Sequence, residues 1–205
     1  SLELCLLLSV PACFGLIIAS KEITNSLFGY GSFSEEDVVL TATALKYFGY
    51  GVPAFALIKV LSNFFFARDN TRTPFYISFF SVFLNILISV VYFKKIGFII
   101  IPIATSIATW VAVLIYLMIL IKSKYFNVRN IFFINTVKIL ISSLAMSLGL
   151  YYLLGFFEDK LIYNNYFKSF YLIMIVILTT TAYLLLVRVL GVFRIKNFET
   201  NKTNE

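Results

Sequence analysis

The sequence predicts an all-α integral membrane protein of about six transmembrane helices. Of its residues, 60% are hydrophobic and only 13% are charged, and the mean hydropathy is +0.93. A soluble domain carries about a quarter charged residues, so this excess of apolar side chains does not fit one soluble core. The apolar residues also fall into separate runs, each near the ~20 residues that a ~30 Å hydrocarbon core requires. A lipid bilayer is therefore the predicted solvent.

The first predicted helix covers residues 3–20, where Pro11 and Gly15 predict a kink. A glycine-rich connection, predicted over residues 25–33, follows it. The sequence begins inside this first apolar run, with no initiator Met and no basic segment before it. We therefore expect the chain to be the C-terminal piece of a longer protein.

Further helices follow, and each is long enough to span a bilayer. They are predicted over residues 35–67, 75–93, 98–122, 131–157 and 166–190. Ser34 and Asp37 have the spacing of a capping box at the start of the second helix. Pro74 lies at the first turn of the third helix, where its missing N–H has no intrahelical partner to lose.

A predicted hinge lies near the middle of the second helix. Pro53 removes a backbone N–H there, and Gly49 and Gly51 precede it closely. Because bending needs a weakened hydrogen-bond ladder, these three residues are the best candidates for a moving joint. A static kink that serves helix packing is an equal alternative.

The distribution of basic residues predicts the orientation of the helices. One set of alternate connections carries Arg68, Arg72, Lys122, Lys124, Arg129, Arg188, Arg194, Lys196 and Lys202. The other set carries Lys21, Lys94, Lys95, Lys160 and Lys168, together with the acids Glu22, Glu35, Glu36, Asp37, Glu158 and Asp159. Since the more basic connections remain in the cytoplasm, the first set and the C-terminus are predicted to be cytoplasmic.

Charged and amide side chains inside the predicted spans are candidates for a substrate cavity. Lys46, Lys59 and Asn63 lie in the second helix, and Lys138 lies in the fifth. A charge at the bilayer centre costs roughly 2.5–3.5 kcal/mol on insertion scales, so such residues often mark a pathway. A lysine a few turns from a helix end can instead extend its ammonium to the interface. Both interpretations stay open.

Polar residues also form a stripe on each of the third and fourth helices. The stripes consist of Ser78, Ser81, Asn85 and Ser89, then Pro102, Thr105, Ser106 and Thr109. Small polar residues of this kind let membrane helices pack closely and hydrogen-bond across the contact. Alternatively, the stripes line an aqueous cavity with Ser81, Asn85, Ser89, Thr105 and Thr109 as its candidates. Asn85 and Thr105 could then supply oxygens to a monovalent cation.

A compact polar turn with the sequence FARDNTRTP connects the second and third helices. Asp69 can pair with Arg68 or Arg72, and Thr73 can cap the helix that Pro74 enters. One interpretation is a hairpin that fixes helix geometry. The other is a cytoplasmic gate, made of these five residues, whose charge pairs break as the protein moves.

Two linked stretches carry a recognisable family pattern. They read LFGYGSFSEED (27–37), then GVPAF (51–55), KVL (59–61) and FFARDNTRTP (65–74). Together they resemble the MurJ/MviN family of lipid II flippases, around the tenth of that family's fourteen helices. The chain departs from the family pattern at Tyr30, where Arg is common, and at Asn70, which alters the spacing of the turn.

This resemblance implies the C-terminal part of a MATE-like fourteen-helix transporter. Residues 1–125 would be the last four helices of its second lobe, and residues 126–193 an extra helix pair that forms a hydrophobic groove. Residues 194–205 would be a polar cytoplasmic tail. The implied activity is movement of lipid II, an undecaprenyl-linked peptidoglycan precursor, across the bacterial inner membrane by alternating access. The implied partners are membrane lipid, lipid II and the remaining N-terminal helices, with no cofactor.

Two alternatives remain beside this function. One is another exporter of the same superfamily, for polysaccharide-linked lipids or drugs, and the other is a structural membrane subunit without a transport path. An enzyme is not expected, since histidine is absent and no paired carboxylates lie in the predicted spans. Nucleic-acid binding is not expected either, because the net charge of +7 is distributed between apolar runs. No catalytic residue is predicted, and no metal site beyond the cation pair.

Overall fold

The computed structural model describes residues 2–123, 130–163 and 165–192. In these ranges all regular secondary structure is helical, as the sequence predicts. The α-helices are α1 (Leu2–Ile18), α2 (Ser20–Phe28), α3 (Glu35–Phe66), α4 (Arg72–Ile96), α5 (Ile100–Lys122), α6 (Asn130–Phe156) and α7 (Lys168–Val189). Short 3-10 turns, Gly97–Ile99 and Glu158–Lys160, precede α5 and follow α6.

By length and composition, α3, α6 and α7 are each able to cross a membrane. The 51-residue stretch Arg72–Lys122 also qualifies, and it contains two crossings because α4 and α5 fold back on each other. Two contacts establish this antiparallel pairing: Asn85 donates to Thr105, and Ser81 donates to the carbonyl of Ala108. α1 and α2 pass the same test only when taken together, as one broken span or as a re-entrant segment. Counted as one span, this pair brings the described helices to the six predicted crossings.

The start of α3 follows directly from its sequence. Ser34 Oγ accepts the N–H of Asp37 (3.2 Å), and an Asp37 carboxylate oxygen accepts the N–H of Ser34 (3.0 Å). This reciprocal pair is the predicted capping box, and Glu35 and Glu36 add negative charge where the helix dipole favours it. From there α3 runs for 32 residues through Pro53 as one continuous helix.

The predicted first helix agrees with α1 to within two residues, but the predicted bounds of the connection after it are wrong. α1 continues through Pro11 and Gly15, and the chain instead bends by 77° between α1 and α2. α2 then extends to Phe28, well into the predicted connection. Its polar sequence, SKEITNSLF, is typical of a loop, yet Asn25 is buried and donates to the distant carbonyl of Leu161. Tertiary partners of this kind override the local signal.

The start of α4 also differs from the prediction. α4 begins at Arg72 rather than at residue 75, and Thr73 does not cap it. The capping side chain is Asn70, whose Oδ1 accepts the Thr73 N–H (3.1 Å) and whose Nδ2 donates to Thr73 Oγ1 (3.0 Å). Asp69 precedes it in a left-handed backbone conformation with φ 56°, which Asp adopts more readily than most residues. Asn70 therefore sets the helix start.

The helices pack in the order α4, α5, α3, α1, α6, α7, so that α1 and α3 are central. The core between α3, α4 and α5 includes Leu61, Phe65, Ile77, Val113 and Tyr116. A second core joins α1, α6 and α7 through Leu7, Val10, Ile139, Tyr183 and Val187. α2 packs against α3 and α7. It thereby connects two helices that are not neighbours in the main row.

Some sequence predictions fall outside the described residues. The tail 194–205 and the basic residues Lys124, Arg129, Arg194, Lys196 and Lys202 all lie there. At the boundary predicted near residue 125, the flanking helices α5 and α6 are described but the connection between them is not.

Candidate functional site

The two predicted polar stripes face each other between α4 and α5. Asn85 Nδ2 donates to Thr105 Oγ1 (2.9 Å), and Asn85 Oδ1 accepts from Ser89 Oγ (3.3 Å). Thr105 Oγ1 in turn donates to the Ile101 carbonyl (2.8 Å). The amide and both hydroxyls therefore have partners within the protein, as in polar contacts between membrane helices.

Two further stripe residues support this packing interpretation. Ser81 Oγ donates across the contact to the Ala108 carbonyl (3.2 Å). Thr109 Oγ1 donates to the Thr105 carbonyl of its own helix (2.6 Å), a back-bond common for threonine in helices. The arrangement thus favours close packing of α4 and α5 over a water-filled space between the two stripes.

The predicted hinge is bonded to α5. Because Pro53 has no N–H, the turn before it has a carbonyl without its usual intrahelical donor. Two α5 side chains donate to this turn: Ser106 Oγ to the Tyr47 carbonyl (2.7 Å) and Trp110 Nε1 to the Tyr50 carbonyl (2.9 Å). The carbonyl that Pro53 leaves without a donor is that of Gly49, four residues earlier, so these two bonds attach α5 to α3 beside the proline and do not replace the bond that the proline removes.

Gly49 and Gly51 let two neighbouring helices approach α3 closely. A Cβ added at Gly49 would lie 3.2 Å from Leu16 Cβ of α1, and one added at Gly51 would lie 2.8 Å from Ser106 Oγ of α5. A real Cβ atom essentially never lies as close to another heavy atom as in the second case, so a larger residue at position 51 would force a shift. These contacts support the static-kink alternative, and motion at this point stays a prediction.

The candidate cavity residues of α3 do not converge on one face. Lys59 and Asn63 are one helical turn apart and share a face. Lys46 lies about 140° around an ideal helix from Lys59. All three side chains are exposed. Their exposure fits both predicted alternatives, a pathway or an ammonium that reaches the interface.

The residues of the predicted gate lie at the end of α3 and the start of α4. Arg68, Asp69 and Arg72 are exposed. The Arg68 guanidinium lies 4.2 Å from the centroid of the Phe64 ring, a cation–π contact. The shape of the turn comes from the neutral Asn70 cap, and a role for the charges as a gate stays a prediction.

A cavity of about 780 Å³ opens at the end of the bundle opposite this turn. Its walls come from α2, the start of α3, the end of α6 and the segment that follows it. They combine acids with aromatic rings, including Glu22, Glu35, Glu158, Tyr151, Tyr152 and Tyr163. The residues predicted to line a substrate cavity are not among its lining residues, so this cavity is a separate feature.

The sequence alone does not single out Lys168, which makes the densest set of polar contacts near this end. It is the first residue of α7 and is fully buried. Its Nζ donates to Asn25 Oδ1 (3.1 Å), the Gly29 carbonyl (2.5 Å) and the Tyr163 carbonyl (2.8 Å). The rings of Tyr30 and Tyr163 flank the ammonium, with centroids at 4.1 and 4.8 Å.

Two other contacts attach α7 to its neighbours. Tyr183 donates its buried hydroxyl to the Leu7 carbonyl (2.7 Å). Leu7 lies four residues before Pro11, so its carbonyl is the one that the proline leaves without an intrahelical donor. Lys138 donates to the Leu190 carbonyl at the end of α7 (2.8 Å), which supports a structural role for this lysine. The contact between Tyr183 and Leu7 could have been located from the sequence, because Pro11 inside a span leaves one backbone carbonyl without a donor.

The described residues include no group of three or more His, Cys, Asp and Glu side chains placed to hold a metal ion. Asn85 and Thr105 do lie together, as the cation prediction requires. However, Thr105 Oγ1 receives an Asn85 amide hydrogen, so the two side chains satisfy each other. A monovalent cation at this pair stays a prediction.

In the part of the chain that the structure describes, several long apolar helices held together by polar contacts define a multi-pass α-helical membrane protein. A family model described as "Lipid II flippase MurJ" matches residues 1–193. The chain therefore belongs to the MurJ family of lipid II flippases, in agreement with the resemblance noted in its sequence.

Relatives and a solved structure agree with this assignment. The probable lipid II flippase MurJ of Rickettsia prowazekii is 42% identical over 105 residues, which are 51% of this chain and 21% of that protein. The one from Aquifex aeolicus is 36% identical over 155 residues, 75% of this chain and 30% of that protein. A structure of lipid II flippase MurJ in an inward closed conformation matches with TM-score 0.74 and 26% identity, covering 92% of this chain and 37% of that one. The chain spans well under half the length of these proteins.

Proposed function

We propose that the chain is the C-terminal part of a lipid II flippase of the bacterial inner membrane, working by alternating access with the helices that precede it. The observation that carries this proposal is the family match over residues 1–193. The transported molecule is lipid II, a polyprenyl-pyrophosphate glycolipid whose headgroup crosses while its tail stays in lipid. Transport requires no bond in the substrate to be made or broken, so no enzymatic step is proposed.

Residues 1–125 form the last part of the second lobe in this proposal, and residues 126–193 form the groove pair. The packing supports such a division, because α4, α5, α3 and α1 make a continuous row and the pair of α6 and α7 attaches to α1. The outer face of α7 is apolar and exposed, with Phe170, Ile173, Ile177 and Leu184 on it. A face of this kind suits a polyprenyl tail or ordinary membrane lipid.

The orientation follows from the charges at the two ends of the bundle. In the whole sequence the connections of one end carry nine basic residues, among them Arg68, Arg72, Lys122 and Arg188, and those of the other end carry five, Lys21, Lys94, Lys95, Lys160 and Lys168. The first end is proposed to face the cytoplasm, together with the C-terminus, because basic connections are retained there. The turn of Arg68, Asp69, Arg72, Thr73 and Pro74 would then be in position to act as the cytoplasmic gate.

The substrate cavity is proposed to lie beside the exposed face of α3 that carries Lys59 and Asn63, with Lys46 nearer the far end. Exposed charges on a membrane helix require either water or a partner, and the preceding helices of the full protein can provide both. The polar stripes of α4 and α5, with Ser81, Asn85, Ser89, Thr105 and Thr109, lie within the same lobe. If Asn85 and Thr105 bind a monovalent cation, the binding of that cation would be coupled to transport at this place.

Replacing Pro53 tests whether the hinge moves. In the full-length protein, Pro53→Ala restores a backbone N–H to α3 and stiffens it. If Pro53 is a hinge, lipid II translocation falls several-fold while thermal stability holds or rises. Gly51→Ala is the matched control, since it disturbs packing against α5 and should lower stability and translocation together. Unchanged translocation by Pro53→Ala would leave only the static kink.

The function is tested by replacing the flippase of a bacterium with the full-length protein that contains this chain. Cells depleted of their own lipid II flippase are expected to resume growth, and lipid II is expected to become accessible to an impermeant reagent on the outer surface. The same protein truncated before this chain is the control. Full-length protein present in the membrane without translocation would refute the proposal.

An exporter of the same superfamily with a different cargo is the remaining candidate, and the same cells distinguish it. A drug or polysaccharide-lipid exporter would change drug sensitivity or surface polysaccharide without restoring lipid II at the outer surface. A structural subunit would change neither. The family match over most of the chain favours lipid II.

A further inference from the structure

We infer that Lys168 is a positioning residue that fixes the groove pair to the second lobe, so that α7 cannot move independently of α2 and α3. Lys168 with Asn25, Gly29, Tyr30 and Tyr163 is called the lysine joint below. Its consequence for transport rests on the proposed function, whereas the joint itself can be tested without it.

The chemistry of the joint indicates a permanent contact. All three acceptors of the Lys168 ammonium are uncharged oxygens, at 2.5 to 3.1 Å. Gly29 directly follows α2, so its carbonyl and the negative end of the helix dipole together attract the cation. Separating α7 from α2 would break two of the three bonds to the ammonium, those to Asn25 and Gly29. Such a contact is expected to remain closed through a transport cycle.

The glycine in the joint is also sterically required. A Cβ added at Gly29 would collide with Asn25 Oδ1 and would lie 3.1 Å from Lys168 Nζ. The backbone of the turn can therefore approach the ammonium only because position 29 has no side chain. This close approach of the Gly29 backbone to Lys168 Nζ allows the Gly29 carbonyl to accept a hydrogen bond from the ammonium.

Further bonds surround the joint and connect the same two segments. Asn25 Nδ2 donates to the Leu161 carbonyl (2.8 Å), and Ser169 Oγ donates to the Ser26 carbonyl (2.7 Å). The hydroxyl of Tyr30 bonds to Ser169 Oγ (2.8 Å). The hydroxyl of Tyr163 donates to the Phe33 carbonyl. Donors thus come from both sides of the contact, and each segment holds the other in place.

A second attachment lies deeper in the bundle. Tyr183, about four turns along α7 from Lys168, donates to the Leu7 carbonyl of α1. Two attachments at different depths prevent α7 from pivoting about either one. The groove pair is therefore expected to move with α1, α2 and α3 as one body.

Hydrogen exchange of the full-length protein in lipid nanodiscs tests the joint. Lys168→Met keeps the apolar stem and removes the ammonium, so exchange should become roughly tenfold faster in the turn with Gly29 and in the segment with Tyr163. Lys160→Met, at an exposed lysine of the same end, is the control and should change neither. Faster exchange on only one side of the contact, or on neither, would overturn the inference.

A second variant tests the coupling from the opposite side. Tyr30→Arg replaces an aromatic ring over the Lys168 ammonium with a second cation. Because the two cations repel each other, hydrogen exchange should become faster in the segment with Tyr163, whose own sequence is unchanged. In a Lys168→Met background the like-charge repulsion is gone, and Tyr30→Arg should add only the smaller loss of the Tyr30–Ser169 bond. Equal effects of Tyr30→Arg in both backgrounds would show that Lys168 is not the link.

Translocation provides the functional outcome. At equal amounts in the membrane, Lys168→Met should lower lipid II translocation several-fold relative to Lys160→Met. Full translocation by Lys168→Met would refute the positioning role. If the unmodified full-length protein moves no lipid II, the proposed function fails, while the exchange measurements still decide whether the joint exists.

Discussion

Two polar clusters hold helices together in this chain, and they work differently. Between α4 and α5, neutral hydroxyl and amide groups bond to partners 20 and 27 residues away. At the lysine joint, one buried charge bonds to partners 139 and 143 residues away. The first cluster follows from helix periodicity in neighbouring segments. The second exists only once the whole bundle has formed.

The comparison indicates where stability is concentrated. Hydrogen bonds between neutral side chains of membrane helices contribute on average about 0.6 kcal/mol, so the α4–α5 stripe is a sum of small terms. A buried ammonium with three acceptors and two aromatic rings concentrates several strong interactions at one residue. We therefore expect substitutions at the two clusters to differ clearly in size.

The largest effect is expected at Lys168. Lys168→Met should lower the free energy of unfolding by about 2–4 kcal/mol, since it removes three charge-assisted hydrogen bonds and leaves buried carbonyls unpaired. Denaturant-induced unfolding of the full-length protein in detergent micelles measures this loss. Lys160→Met should cost little. Equal losses for the two lysines would contradict the comparison.

A smaller effect is expected at Tyr183. Tyr183→Phe removes one buried hydrogen bond to the Leu7 carbonyl and should cost about 1 kcal/mol. In a Pro11→Ala background the backbone N–H returns and satisfies that carbonyl, so the same substitution should cost less. The unfolding free energies of the four proteins in this cycle provide the test. Identical costs in both backgrounds would mean that the proline does not create the acceptor.

Asn85→Ala should cost about 0.6–1 kcal/mol, because it removes neutral bonds between half-buried side chains. Translocation is then expected to change only as far as stability does. Its dependence on Na⁺ and K⁺ provides the sharper measurement, with Ser81→Ala as the control on the same stripe. Loss of ion dependence at unchanged stability would favour the cation site over packing.

The smallest effect is expected at Lys138. Lys138→Met removes a single bond to the Leu190 carbonyl at a partly exposed position, so the cost should be below about 0.5 kcal/mol. Unfolding under the same conditions as for Lys168→Met measures it directly. A loss comparable to that at Lys168 would show that burial and the number of hydrogen-bond partners do not determine how much each lysine contributes to stability.

Most helices were predictable from sequence because apolar length and capping residues are local. The five long helices after the first and the capping box of Ser34 and Asp37 agree with the structure. The α4–α5 contact was predictable as one of two alternatives, since the spacing of Ser81, Asn85 and Ser89 places them on one helix face. The choice between packing and a cavity needed the partners of those side chains.

The parts that could not be predicted depend on distant partners. The polar sequence of α2 resembles a loop until Leu161 and Lys168 provide bonds to Asn25. Lys168 resembles an ordinary basic residue of a connection until α2 ends beside it. Asn70 was noted as a departure from the family pattern, but its capping role depends on where α4 begins.

These helices are proposed to complete a passage for lipid II. The most direct test uses proteoliposomes that contain lipid II and the purified full-length protein, with a membrane-impermeant reagent reporting lipid II on the outer leaflet. The full-length protein should redistribute lipid II between leaflets, and a form that lacks these 205 residues should not. Redistribution by the shortened form, or none by the folded full-length protein, would contradict the claim.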